Sequence, residues 1–144
     1  MCETEQNEVK LTRSEAREQA FMLLFSKSFD NEPLEATIKD NAEMFRGGVC
    51  GYAQAVVTGI EACQDEIDAK LSAFLKKGWA LSRLSRPSLA ILRLAAYEIL
   101  YLDSVPDGAA VNEAVELAKK YTIDESGFIN GVLGSLVRSK EAKQ

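Results

Sequence analysis

The sequence predicts an all-α fold of about seven helices, and three observations carry that prediction. Apolar residues recur at spacings of three and four along most of the chain. Helix-start signals stand ahead of those stretches. No segment sustains the period-two alternation and β-branched composition of a strand. The most apolar stretch, Pro87 to Leu102, sets the centre of the fold. It has no internal glycine and is rich in Leu, Ala and Ile, so it reads as a helix of about 24 Å at about 1.5 Å per residue. Beyond Ser88 in its first turn, its polar members Arg93, Tyr97, Glu98 and Tyr101 fall within an arc of about 140°. The rest of its girth is apolar, and such a helix must be covered by several neighbours. Its length, with Arg93 and Glu98 inside it, excludes a membrane span.

The other elements follow in order. Residues 1–10 have little to bury and are expected to fray. Thr12-Arg13-Ser14-Glu15 fits a capping box, in which the threonine hydroxyl accepts a first-turn amide and the glutamate reaches back. Ala16, Ala20, Leu23 and Leu24 then recur at helical spacing, with Phe21 and Phe25 widening the stripe. Lys10, Arg13 and Arg17 crowd the start of this helix, where the dipole favours anions over cations. That placement points to contacts outside the fold, and an anion held there would also meet free amides. Asp30-Asn31-Glu32-Pro33 marks a turn and a fresh start, with a short helix expected over 33–43. Gly47-Gly48 separates it from a long helical region, Val49 to Lys77, bent near Gln64. Close helix packing accounts for Gly51 and Gly59. A phosphate loop is not supported, since no strand precedes and no Gly-Lys-Ser/Thr follows. Glu61, Asp65, Glu66 and Asp68 read as a solvated face.

A short helix after Gly78-Trp79 ends at Leu84, and Ser85-Arg86-Pro87 opens the central helix. Trp79, the one tryptophan, is expected to anchor the core or its boundary rather than stack on a base or a partner. The turn Ser104-Val105-Pro106-Asp107-Gly108 leads into a helix over Ala109–Tyr121, with Val111, Ala114, Val115 and Ala118 inward. Glu116 and Lys120 form a favourable i,i+4 pair on its outer face. Thr122-Ile123-Asp124-Glu125 caps a last helix carrying Phe128, Ile129, Val132, Leu133, Leu136 and Val137. Residues 139–144 are polar and expected to be flexible.

Composition narrows the function. The 144 residues suit one domain with a sizeable core, and 47% hydrophobic with 27% charged residues is ordinary for a soluble protein. The acidic, polar start is no secretory signal, and no membrane segment is expected. Cys2, Cys50 and Cys63 are odd in number and widely spaced, which fits reduced thiols in the cytoplasm. The chain has no histidine, so no histidine general base, Ser-His-Asp or Cys-His arrangement exists, and a closed zinc site is not expected. Neither enzyme activity nor a cofactor is anticipated. The charge is segregated: Ala69 to Tyr97 holds no acidic residue, while Lys70, Lys76, Lys77, Arg83, Arg86 and Arg93 carry +6, leaving −11 for the rest of a chain of net charge −5. That stretch is either a local basic face for an anionic partner or a set of helix-surface cations paired with acids.

The last two helices are specific. Val105-Pro106 with Ala110-Val111-Asn112-Glu113-Ala114-Val115-Glu116-Leu117-Ala118-Lys119, and then Ser126-Gly127-Phe128-Ile129-Asn130-Gly131-Val132-Leu133-Gly134, resemble the signature of the NusB transcription antitermination family. Ile91-Leu92-Arg93-Leu94-Ala95-Ala96-Tyr97-Glu98 is similar to that family's central helix. Ile67-Asp68, Trp79 and Arg83-Leu84 extend the likeness, and Arg13 with Ala16-Arg17-Glu18-Gln19-Ala20 resembles its arginine-rich first helix.

The resemblance implies a single NusB-like domain over 1–144, made of two packed helical bundles without an active site. It implies binding of the boxA RNA of nascent ribosomal RNA together with a small-subunit ribosomal protein. Other Nus factors and RNA polymerase complete the assembly, and some members form a homodimer. Carried onto this chain, the RNA-binding residues are Lys10, Arg13, Arg17 and Phe25, with Lys76 and Lys77 added from the basic stretch. Arg93, Glu98, Asn112, Glu113, Phe128 and Asn130 are its motif residues. Asn112 and Asn130 are expected to satisfy polar groups between helices, Gly127 and Gly131 to permit close packing, and Arg93 to pair with an acid. The chain departs from the family where many members have a run of arginines and it has Arg13-Ser14-Glu15, and where Phe25 replaces a tyrosine. The alternative is therefore a protein-interaction scaffold or homodimer with weak intrinsic RNA binding. An RNA methyltransferase with a similar module is disfavoured, since the chain ends at Gln144.

Overall fold

A computed structural model describes residues 11–142, and the regular structure there is entirely helical. The helices are α1 (Arg13–Lys27), α2 (Leu34–Asn41), α3 (Gly51–Ser72), α4 (Arg86–Tyr101), α5 (Asp107–Tyr121) and α6 (Ser126–Ala142), with single 3-10 turns at 42–44 and 81–83. The chain divides into two compact units between Ala62 and Cys63. That division coincides with a kink in α3, where Cys63 leaves helical geometry at φ −115° and ψ 15°, one residue before the expected bend.

In the first unit the predicted capping box is complete. Thr12 N–H donates to Glu15 Oε1 at 2.8 Å, and Glu15 N–H donates to Thr12 Oγ1 at 3.0 Å. From there α1 buries Ala16, Ala20, Phe21 and Leu23, and α2 packs against it. Asn41 donates to Ser26 Oγ at 3.2 Å and to Thr37 O at 2.8 Å, tying the end of α2 to α1. Gln19 is buried for a definite purpose: its Oε1 accepts the Cys50 N–H at 2.9 Å, one of the amides that the start of α3 leaves without a helical acceptor. Gly47 and Gly48 sit at φ 80° and 79°, a left-handed turn that only glycine adopts without strain.

In the second unit α5 and α6 pack on α4 and on each other. Ile91, Leu92, Leu94, Ala95, Ala96 and Ile99 of α4 are buried, each large side chain stabilising by roughly 1.5–3 kcal/mol. The start of α4 is fastened to the start of α6, because Ser85 Oγ (2.8 Å) and Ser88 Oγ both donate to Glu125 Oε1. Ser85 also caps α4 by accepting the Ser88 N–H at 3.3 Å. At the far end Lys140 donates to Ile99 O at 2.7 Å and to Asp107 Oδ1 at 2.9 Å. Residues 139–142, expected to be loose, therefore continue α6 because a lysine on its last turn meets the exposed C-terminal carbonyls of α4.

Local contacts refine several sequence expectations. Lys119 reaches Glu116 at 3.4 Å (i,i+3), a contact that the i,i+4 reading did not include. A Cβ at Gly51, Gly127 or Gly131 would meet nothing within 4 Å, so these glycines are not close-packing points. Cys63 is a free thiol, as expected, and Cys2 lies outside the described residues.

Candidate nucleic-acid interface

The first unit presents its basic residues from the start of α1. Arg13 is half-buried, and its guanidinium carbon lies 4.4 Å from the centroid of Tyr52, in the first turn of α3. A guanidinium stacked on a ring is held by its face, which leaves its N–H edge as the part suited to a phosphate. Arg17 is different. It is only 5% exposed and already engaged by other groups of the chain, so the surface RNA contact expected of it is not what its position supports. Lys10 lies outside the described residues.

Phe25 belongs to an aromatic ladder. It stacks on Phe21 at 5.9 Å between centroids and meets the edge of Phe29 at 5.0 Å. One face of Phe25 is thus taken up by the core-side ring, and the outward member is Phe29, 60% exposed. Extending the i,i+4 series Phe21, Phe25 one step, just past the end of α1, reaches it.

In the second unit Lys76 and Lys77 are exposed at a tight turn. Trp79 N–H donates to Lys76 O at 2.9 Å, and Gly78 takes φ 87°, the geometry of a type II turn. Trp79 is 52% exposed, which excludes a fully buried core position and leaves the boundary one. Trp79 lies in a turn outside the helices, so helical periodicity carried no signal for it. Arg83, on the 3-10 turn that follows, is also exposed.

The motif residues divide by environment. Arg93 pairs with Asp68 through two bonds, Nε to Oδ1 at 2.9 Å and Nη2 to Oδ2 at 2.8 Å, as expected for an arginine pairing with an acid. Glu98 is 1% exposed and engaged within the protein. Asn112 and Asn130 are exposed, contrary to an interhelical role, and Glu113 is half-buried. Phe128 reaches 36% exposure, beside the loop where Ile123 is 86% exposed and Asp124 takes φ 57°. The signature thus contributes surface as well as packing.

Glu32 and Tyr101 titrate away from their ordinary values. Asp30, then Asp40, raise the exposed Glu32 carboxyl. Burial of part of its ring, then Glu66 and Cys63, raise the Tyr101 phenol. Among the described residues no cluster of three or more His, Cys, Asp and Glu is placed to hold a metal, and no helix is long and apolar enough to cross a membrane.

The model of the NusB family matches residues 14–138. The transcription antitermination protein NusB of Clostridium novyi (strain NT) is 40% identical over 134 residues, covering 90% of this chain and 100% of that one. Among solved structures, NusB of T. maritima superposes with a TM-score of 0.80 at 30% identity, over 94% of this chain and 100% of that one. A crystal structure of the antitermination factors NusB and NusE in complex with dsRNA matches with a TM-score of 0.77 at 27% identity, over 88% of this chain and 96% of that one.

Proposed function

The chain belongs to the NusB family, and on that footing we propose that it works in the cytoplasm as a transcription antitermination factor on nascent ribosomal RNA. It holds the boxA segment jointly with a small-subunit ribosomal protein and joins other Nus factors on RNA polymerase. The family is one of transcription regulators rather than enzymes. The structural relative crystallised with NusE and dsRNA supports both kinds of partner.

The observation that carries the reading in this chain is Arg13, a cation held over Tyr52 at the first turn of α1. There a phosphate meets both a positioned guanidinium and the amides of a helix N-terminus. The test is a titration of boxA RNA against the wild type and Arg13→Ala, across a range of salt. Removing one phosphate contact weakens binding and lowers the salt slope by about 0.7. Unchanged affinity and slope would remove Arg13 from the interface.

A specific observation also favours joint over solitary RNA binding. With Arg17 buried and Ser14-Glu15 beside Arg13, the start of α1 offers little positive surface among the described residues. The scaffold reading follows: RNA affinity is low alone, the ribosomal protein supplies the remainder, and a homodimer is the resting form. Repeating the titration with the ribosomal protein, and weighing the free protein by light scattering, decides between them. Tight RNA binding by a strict monomer alone would end the scaffold reading.

A further inference from the structure

We infer that the turn Lys76-Lys77-Gly78-Trp79 is a docking point for an unpaired nucleotide of single-stranded RNA, with Trp79 stacking on the base and the two lysines facing phosphates. The inference deepens the RNA-binding reading above and rests on it.

Three independent features meet at this turn. Trp79 leaves 52% of its surface in solvent, an unusual outlay for the one tryptophan of the chain when α4 and its neighbours bury their apolar faces without it. The backbone is fixed before any ligand arrives, since Gly78 at φ 87° and the 2.9 Å bond from Trp79 N–H to Lys76 O close the turn. The charge along the chain here is of one sign: no acidic residue occurs from Ala69 to Tyr97, and Lys76, Lys77 and Arg83 are exposed despite a chain charge of −5. An aromatic face flanked by cations is the combination that binds single strands, because every base offers a π-face and every linkage a charge.

A protein partner fits less well. The centres of protein–protein interfaces are depleted in lysine, and here two exposed lysines precede the indole in the chain and an exposed arginine follows it. Duplex RNA also fits poorly, since its stacked bases are closed to an inserted or overlaid ring.

Trp79 itself reports the outcome, being the only tryptophan. Single-stranded boxA RNA is titrated into the full chain while emission at the indole and anisotropy of end-labelled RNA are followed together. Stacking quenches the emission, saturating at the same concentration as the anisotropy. Trp79→Ala then binds about tenfold more weakly with an unchanged thermal melt, and Trp79→Phe recovers part of the loss. Lys76→Gln with Lys77→Gln lowers the salt slope by about 1.4. RNA binding with unchanged emission, together with wild-type affinity for Trp79→Ala, overturns the inference and leaves the family reading intact. An emission change caused by the ribosomal protein alone, and not by RNA, overturns it in favour of a protein contact. Failure of the wild type to bind RNA, with or without the ribosomal protein, overturns the RNA-binding reading and this inference with it.

Discussion

Arg93 and Asp68 are joined by a fork of two parallel hydrogen bonds, 2.9 and 2.8 Å long, with side chains 21% and 25% exposed. The pair ties the last turns of α3 to the middle of α4 within the second unit. Partial burial limits water's competition for either group, and the planar guanidinium matches the carboxylate. Arg93→Ala is expected to cost about 2 kcal/mol. Arg93→Lys recovers little of that, since an ammonium cannot fill both acceptor positions. Urea melts of both variants with Asp68→Ala, read as a double-mutant cycle, give the coupling. A coupling near zero would reduce the pair to a surface contact.

The junction of Ser85, Ser88 and Glu125 is a second such tie. Ser88 is fully buried, so removing the carboxylate strands its hydroxyl. Glu125→Ala is expected to destabilise by about 1–3 kcal/mol, and Ser88→Ala by less, because it removes the group that needs a partner. If Ser88→Ala proves the more damaging variant in thermal melts, the hydroxyl is satisfied by something other than Glu125.

Much of this architecture was readable in advance. The Thr12–Glu15 box and the apolar girth of α4 depend on neighbours within one or two turns, so periodicity captures them. What escaped depends on chain distant in sequence or on turn geometry. Gln19 is buried because Cys50 needs an acceptor, and no pattern around Gln19 announces that. Trp79 is half exposed on the turn that Gly78 closes, outside any helical period. Arg17 was misplaced although its signal was present. At 100° per residue it lies on α1 between Leu24 and Phe21, about 20° and 40° from them, in the middle of the apolar stripe. Its burial follows that position and not its charge.

Lys140 should hold the last turn of α6 in place. Its ammonium reaches the carbonyl of Ile99 and the carboxylate of Asp107, each side chain of the ion pair being about a quarter exposed. Lys140→Met keeps the stem's packing and removes both contacts. Amide exchange over residues 136–142 is then expected to quicken while that of α4 stays slow. Unchanged protection would mean that apolar contacts alone fix this end.

Two pH effects follow from the shifted groups. Glu32 has a raised folded-state pKa because Asp30 and Asp40 repel its charge. That repulsion is present in full at neutral pH and is relieved as pH falls through the folded value, since the folded state then takes up the proton first. Glu32→Gln therefore melts higher than wild type at pH 7, with the gap closing in acid. Tyr101 also has a raised folded-state pKa, from burial and from Glu66 and Cys63. Its contribution is complete below the ordinary phenol value of 10.0 and is lost as pH rises from there through the folded value. Tyr101→Phe should flatten the alkaline fall in stability. A wild-type slope retained in that variant assigns the fall to other groups.

Arg13 and Arg17 stand one turn apart on α1, and their variants should separate cleanly. Arg17 is 5% exposed and engaged by other groups of the protein, so Arg17→Ala opens a cavity and strands whatever the guanidinium satisfies. Its loss is expected in the thermal melt, by about 2 kcal/mol or more, with RNA affinity following only the folded fraction. Arg13 is half-buried over Tyr52, and its removal forfeits a cation–π contact of about 0.5–1 kcal/mol. Its larger effect falls on the salt dependence of RNA binding. A double variant confounds the two, because partial unfolding imitates lost affinity. Single variants measured by both melt and salt slope keep them apart: a stable Arg17→Ala protein with a shallower slope would restore Arg17 to the surface that meets RNA.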